Sequence, residues 1–189
     1  MRWQDQSEVP TLPPTTAFLE TLSMPDAARL SRLGNTAPRV VISSACFDTM
    51  VEHLAASRDE LGGLLVGQAY GTDAPQIVAV RHSAASTAFD STGVSLRMEA
   101  DVWNIARPLL GPGAAIVGWY HSHPDLGAFF SDTDRTTQRS FFRQSFSVGI
   151  VIDPIRREMR AFMGPDCVEI PPSNVMIHGA STFFQSAAE

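Results

Sequence analysis

His121 and His123 are separated by one residue in the run Gly118-Trp119-Tyr120-His121-Ser122-His123-Pro124, and after six intervening residues come Ser131, two residues and Asp134. Imidazole and carboxylate are ligands for a transition metal. Side chains alternate along an extended segment, so residues at i and i+2 share a face and both imidazoles can reach one ion. An aspartate from the next helical turn supplies a third ligand. Three protein ligands leave tetrahedral zinc one open position for water, as catalytic zinc sites do. The chemistry this spacing points to is hydrolysis. Five fixed residues at ordinary usage would match by chance in such a chain with a probability of about 10⁻⁴ or less.

The elements that must hold these residues can be read around them. AAIVGWYHSHP is a buried strand that delivers the histidines at its end, and SDTDRTTQRSFFRQ is the helix that carries the aspartate. SFSVGIVIDP and EMRAFMG follow as strands. Upstream, RVVIS reads as a strand and SACFDTMVEHLAASRDE as a helix with Phe47, Met50, Val51 and Leu54 on one stripe. LGGLLVGQAYG and QIVAVRHSA are strands paired across the turn-prone Gly71-Thr72-Asp73-Ala74-Pro75. MEADVWNIARPLL has helical spacing and stops before Gly111-Pro112-Gly113. This order predicts an α/β fold, a mixed sheet with helices packed on it. Residues 1–37, with Pro10, Pro13 and Pro14 and a short helix interrupted at Pro25, read as an N-terminal appendage; 38–170 is the domain and 171–189 a C-terminal tail.

With 189 residues the chain has room for one α/β domain. A net charge of −6 argues against phosphate-backbone binding, so nucleic acid is not an expected partner. Cys46 and Cys167 lie far apart with no CxxC spacing, which suggests neither a disulfide framework nor a cysteine zinc site and fits a reducing cytosol. No signal-like segment and no apolar run of membrane-spanning length occurs, so a cytoplasmic protein without a membrane partner is expected. All 14 basic residues are arginine. A GC-rich genome accounts for that; a chain kept free of side-chain amines beside a lysine-modifying enzyme is the sharper alternative.

VGWYHSHP, the Gly127 that follows, Ser131, Asp134 and the Thr137-Gln138 pair together resemble the JAMM (MPN-plus, or Mov34/JAB-type) metalloproteases, zinc isopeptidases that remove ubiquitin-like proteins from their conjugates. That family also carries a glutamate in the context Glu-x-x-Gly-x-Leu-x-Gly, and Glu60-Leu61-Gly62-Gly63-Leu64-Leu65-Val66-Gly67 is similar. The likeness spans roughly 39–164. It implies a single cytidine-deaminase-like (JAB/MPN) domain, a curved mixed sheet with flanking helices. It implies Zn²⁺ held by His121, His123 and Asp134, Glu60 as general base and Ser131 as hydrogen-bond donor to the oxyanion. The substrate would be a ubiquitin-like protein or its conjugates, laid beside a sheet edge as an added strand. In a bacterial setting, activating and conjugating enzymes of the same operon would be partners, including in antiviral defence.

Competing readings stay open. Ser131-x-x-Asp134 is also a capping box for the helix it opens, and Arg58-Asp59-Glu60 could be a solvated helix end. His53, His82 and His178 are assigned no chemistry. Phe129 and Phe130 either pack the ligand loop or line a groove, and Phe183-Phe184 read as packing residues. A sulfur-carrier precursor protease and a non-catalytic MPN scaffold are the functional alternatives. A cytidine deaminase would need His-x-Glu and Pro-Cys-x-x-Cys, which are missing.

Overall fold

A computed structural model describes residues 11–33, 38–86 and 100–179. Five helices and eight strands follow in chain order: α1 (Thr15–Leu19), α2 (Met24–Arg32), β1 (Arg39–Ser43), α3 (Ser44–Ala55), β2 (Gly62–Gly71), β3 (Pro75–Ala85), α4 (Ala100–Ala106), β4 (Ala115–Ser122), α5 (Asp132–Phe141), β5 (Val148–Asp153), β6 (Glu158–Met163), β7 (Val168–Ile170) and β8 (Val175–His178). All eight strands join one curved mixed sheet in the order β7-β6-β5-β4-β2-β3-β1-β8.

The strand that ends in the histidines therefore sits in the middle, antiparallel to β2 and parallel to β5. Its residues divide between two dry faces, with a β-bulge at Val117 where the register to β2 shifts between Leu65 and Val66. Val117 and Tyr120 point to the side covered by α3, where Phe47, Met50 and Leu54 pack on Leu65, Val80 and Ile150. Trp119 points to the other side, with Leu64, Val66, Val102, Phe130 and Phe142. Burial on both faces explains why AIVGWY reads as an apolar run instead of an alternating one. Gly118 is needed for the β4–β5 pairing: its φ is +153°, and an added Cβ would lie 1.8 Å from the Val148 carbonyl oxygen.

Three expectations are revised. Pro25 does not interrupt a helix; it occupies the first turn of α2, where its missing N–H costs nothing, behind a Ser23 cap that accepts from Asp26 N–H. The segment assigned as an appendage packs on the sheet from residue 11 to 33, with Phe18 and Leu30 buried against Val41, Tyr70, Ile77, Ala79 and Met176. Beyond 170, Val175–His178 pairs parallel with β1 and forms one edge of the sheet. Phe183-Phe184 lie outside the described residues. Among the described residues no helix is long and apolar enough to cross a membrane. Both cysteines are buried and free, and burial pushes the Cys46 thiol up to about 12.

Leu30 is fully buried under α2. Truncation to alanine removes methyl groups from a packed interior and should destabilise the whole protein by about 2–5 kcal/mol in urea unfolding. An unchanged midpoint would show that 11–33 is not part of the cooperative unit.

Candidate metal centre

β4 ends at Ser122, and the chain leaves the sheet with His121 and His123 still on one side. Their Nε2 atoms lie 3.2 Å apart. α5 begins at the end of the following loop, and its first turn brings Asp134 to them: Oδ1 is 3.1 Å from His121 Nε2, and Oδ2 is 3.5 Å from His123 Nε2. With metal bonds of about 2.0–2.2 Å, the edges of a tetrahedral zinc sphere are about 3.3–3.6 Å long. The two nitrogens are 3.2 Å apart and each lies within 3.5 Å of one of the two carboxylate oxygens, and one donor atom from each residue can be chosen so that all three lie within 4.8 Å of one another. Among the described residues, this is the group of histidine, cysteine and acidic side chains placed to hold an ion.

The three ligand side chains are buried. Burial opposes ionisation of Asp134, but hydrogen bonds from His121, His123 and Ser131 outweigh it and hold the carboxyl well below the usual carboxylate range. The chain reaches this arrangement through a capping box. Ser131 Oγ accepts from Asp134 N–H at 3.2 Å, while Asp134 Oδ2 accepts from Ser131 N–H and Oγ–H, both at 2.7 Å. The cap therefore occupies Oδ2 and leaves Oδ1 turned toward His121. The capped oxygen also lies 3.5 Å from His123 Nε2, at the margin of the cluster.

Ring orientation comes from packing. The Nδ1 atoms of His121 and His123 are buried with no hydrogen-bond partner among the described residues, unlike metal-ligating histidines in general, which donate that N–H to an outer partner. Instead Trp119 stacks on His121 with centroids 4.5 Å apart and planes 8° from parallel. The indole is itself pinned by Gln138, whose Oε1 accepts from Trp119 Nε1 at 2.6 Å and whose Nε2 donates to the carbonyls of Ser147 and Gly164. Phe130 is buried between Trp119, His121 and Phe162 and holds the loop down. Phe129 lies 4.7 Å from the His123 ring and remains half-exposed. The two phenylalanines left open by the sequence thus divide: one packs, the other faces outward beside the site.

Glu60 is not at a helix end. α3 stops at Ala55, and Glu60 lies in the extended connection to β2, half-exposed, with Oε1 3.8 Å from His123 Nε2. What holds that connection is Ser122, the residue between the histidines. It is fully buried, its Oγ accepts from Leu61 N–H at 3.0 Å, and its own N–H donates to the Leu61 carbonyl at 2.9 Å. Ser122 was not singled out in the sequence; its place between two ligands was the available signal. The remaining histidines stay away from the cluster. His53 is 3.0 Å from Tyr120 Oη on the α3 side, His82 is exposed on β3 and His178 ends β8.

Residues 43–163 match a family model described as prokaryotic homologs of the JAB domain. The chain belongs to the JAB/MPN (JAMM) family. Among curated JAB/MPN relatives, it is 34% identical over 139 residues to the 26S proteasome regulatory subunit RPN11 of Eremothecium gossypii, covering 69% of this chain and 42% of that protein. It is 34% identical over 131 residues to the ubiquitin carboxyl-terminal hydrolase RPN11 of Saccharomyces cerevisiae, covering 65% of this chain and 40% of that protein. The chain spans about two fifths of the length of these relatives. Among solved structures, protein DSY2949 from Desulfitobacterium hafniense shares the fold, with a TM-score of 0.58 at 18% identity over 77% of this chain and 97% of that one. The JAB/MPN expectation of a curved mixed sheet with flanking helices agrees with the fold observed here.

Replacing Ser122 by alanine leaves the Leu61 N–H buried without its acceptor, at a cost of about 1–3 kcal/mol. Thermal unfolding should show that loss, while binding of added Zn²⁺, read by calorimetry, stays within a few-fold because no ligand is touched. Abolished metal binding would mean that Ser122 supports the ligands and not the Glu60 connection.

Proposed function

We propose that this chain is a zinc-dependent peptidase that cuts after the C-terminal glycine of a ubiquitin-like protein and releases an amine. The observation that carries this reading is the convergence of His121, His123 and Asp134 in a buried cluster with the Glu60 carboxylate 3.8 Å from His123 at its open side. The likeness to a protein named as a ubiquitin carboxyl-terminal hydrolase supports the substrate class.

His121 Nε2, His123 Nε2 and Asp134 Oδ1 would hold the ion. Zinc in such a site lowers the pKa of water to about 7 and polarises a carbonyl oxygen. Glu60 accepts the proton of the attacking water as the new C–O bond forms. It then gives that proton to the nitrogen as the C–N bond breaks, so that the amine leaves neutral and the carboxylate is regenerated. Its half-exposure suits that role, because the side chain can meet both the water and the leaving nitrogen. Ser131 donates to Asp134 in the resting arrangement. Its hydroxyl can turn to the oxyanion while the Ser131 backbone N–H keeps its bond to Oδ2, so the helix cap persists through the reaction. The substrate tail enters extended, as an added strand beside the site.

The setting we infer is a bacterial ubiquitin-like conjugation system, with activating and conjugating enzymes as partners and a role in antiviral defence as one such setting. The free, buried cysteines suit a reducing cytoplasm.

Metal analysis of the purified protein should find one zinc per chain. Glu60→Gln should keep the zinc and lower cleavage of a ubiquitin-like fusion by about 10²-fold or more. Ser131→Ala should also keep the zinc, slow turnover by about 10²-fold and remove about 1 kcal/mol of stability through the lost cap. Protein that neither contains nor takes up zinc would favour a non-catalytic scaffold. Cleavage of a linear fusion but not of a lysine conjugate would make it a precursor-trimming enzyme.

A further inference from the structure

Asp153 ends β5 and is fully buried, yet no step above uses it. Its Oδ1 accepts from the backbone N–H groups of Asp125 at 3.1 Å, Ile155 at 2.9 Å and Arg156 at 3.0 Å, and its Oδ2 accepts from Gly127 N–H at 2.8 Å. Ile155 and Arg156 belong to its own turn. Asp125 and Gly127 lie 28 and 26 residues away, in the loop between His123 and Ser131.

Capping the local turn alone needs one oxygen, which asparagine or serine supplies without a charge. Here both oxygens are used, and half of the donors come from the loop joining two ligands. The N-terminal part of the loop is irregular, with Asp125 and Gly127 at φ of 61° and 90°; besides Asp153 it is held by Leu126 N–H on the His123 carbonyl at 3.2 Å, and further along by Ala128 N–H on Glu158 Oε2 at 3.4 Å and by buried Phe130. Immediately before it, His123 N–H donates to the Ile152 carbonyl at 3.2 Å. Successive residues at the end of β5 thus hold the backbone from His123 through Gly127. Arg156 lies 3.2 Å from Asp125 and 3.7 Å from Asp153, bracing the same junction from outside.

We propose that Asp153 is a positioning residue for the metal centre: its buried carboxylate registers the loop between His123 and Ser131 onto the sheet, and so sets the third ligand against the first two. The inference rests on the metal-binding reading of the His121, His123 and Asp134 cluster. Ionisation of Asp153 is opposed by its burial but favoured by the four backbone donors, which together hold its carboxyl below the usual aspartate range.

The test compares full-length wild type with Asp153→Asn and with Ile170→Ala, a core truncation on the remote edge strand β7 that serves as a control for lost stability. Zn²⁺ affinity is measured by chelator competition, and geometry by the visible absorption of the Co²⁺-substituted protein. Asp153→Asn should weaken zinc binding about 10-fold or more and alter the Co²⁺ spectrum, as loss of outer support does at metal sites. Ile170→Ala should lower the melting temperature without either change. If Asp153→Asn melts earlier but binds zinc within about twofold of wild type with an unaltered Co²⁺ spectrum, Asp153 is a turn staple only and the inference falls. Should Asp153→Asn not fold, Gly127→Ala perturbs the same loop through its φ of +90°, with no atom nearer than 3.4 Å to the added Cβ. Unchanged zinc affinity there overturns the inference equally. A wild type that binds no zinc sinks the metal reading itself, and this inference with it.

Discussion

A carboxylate held out of water between two imidazoles is the constraint around which the rest of this molecule is arranged. Desolvating the charge of Asp134 costs several kcal/mol unless partners with good geometry surround it. The fold provides them from three directions: the capping box of α5 on one oxygen, His121 on the other, and His123 at the margin. Among the described residues the cluster also has no hydrogen-bond partner at either Nδ1 atom. An arrangement this polar and this dry does little for stability and is explicable as a binding site for a cation.

Support for the cluster comes in layers that touch one another. Trp119 fixes the plane of His121, Gln138 fixes Trp119, and Gln138 in turn ties α5 to the backbone at Ser147 and Gly164. The strand that carries the ligands is central in the sheet, so its position is determined from both sides by β2 and β5. The irregular segments at the site are tied to that frame by buried side chains that accept backbone N–H groups: Ser122 for the connection bearing Glu60, and Asp153 for the loop between the ligands. These irregular segments thereby acquire the precision of the sheet, while Glu60 stays half-exposed at the margin of the cluster.

Much of this was legible in the sequence because it is local. The i, i+2 histidines share a face by strand geometry, and Asp134 reaches them because Ser131-x-x-Asp134 begins a helix at the right distance. The apolar run of β4 and the stripe on α3 also follow from short-range pattern. The parts that were not legible depend on contacts remote in the chain. β8 is four residues after a double proline, and it becomes a strand only because β1 offers it a parallel edge. α1 and α2 look like an appendage until Phe18 and Leu30 are seen against Tyr70 and Ile77. Ser122 and Asp153 are ordinary polar residues in sequence; their roles appear only when their backbone partners, 61 and up to 28 residues away, are brought to them.

The most direct test of a metal-dependent site is diffraction from zinc-soaked crystals on both sides of the zinc absorption edge. One anomalous peak should appear, bonded to His121 Nε2, His123 Nε2 and an Asp134 oxygen at about 2.0–2.2 Å, with its fourth position facing Glu60. No peak at the cluster, or a peak held by other side chains, would contradict the reading of this fold as a metallopeptidase.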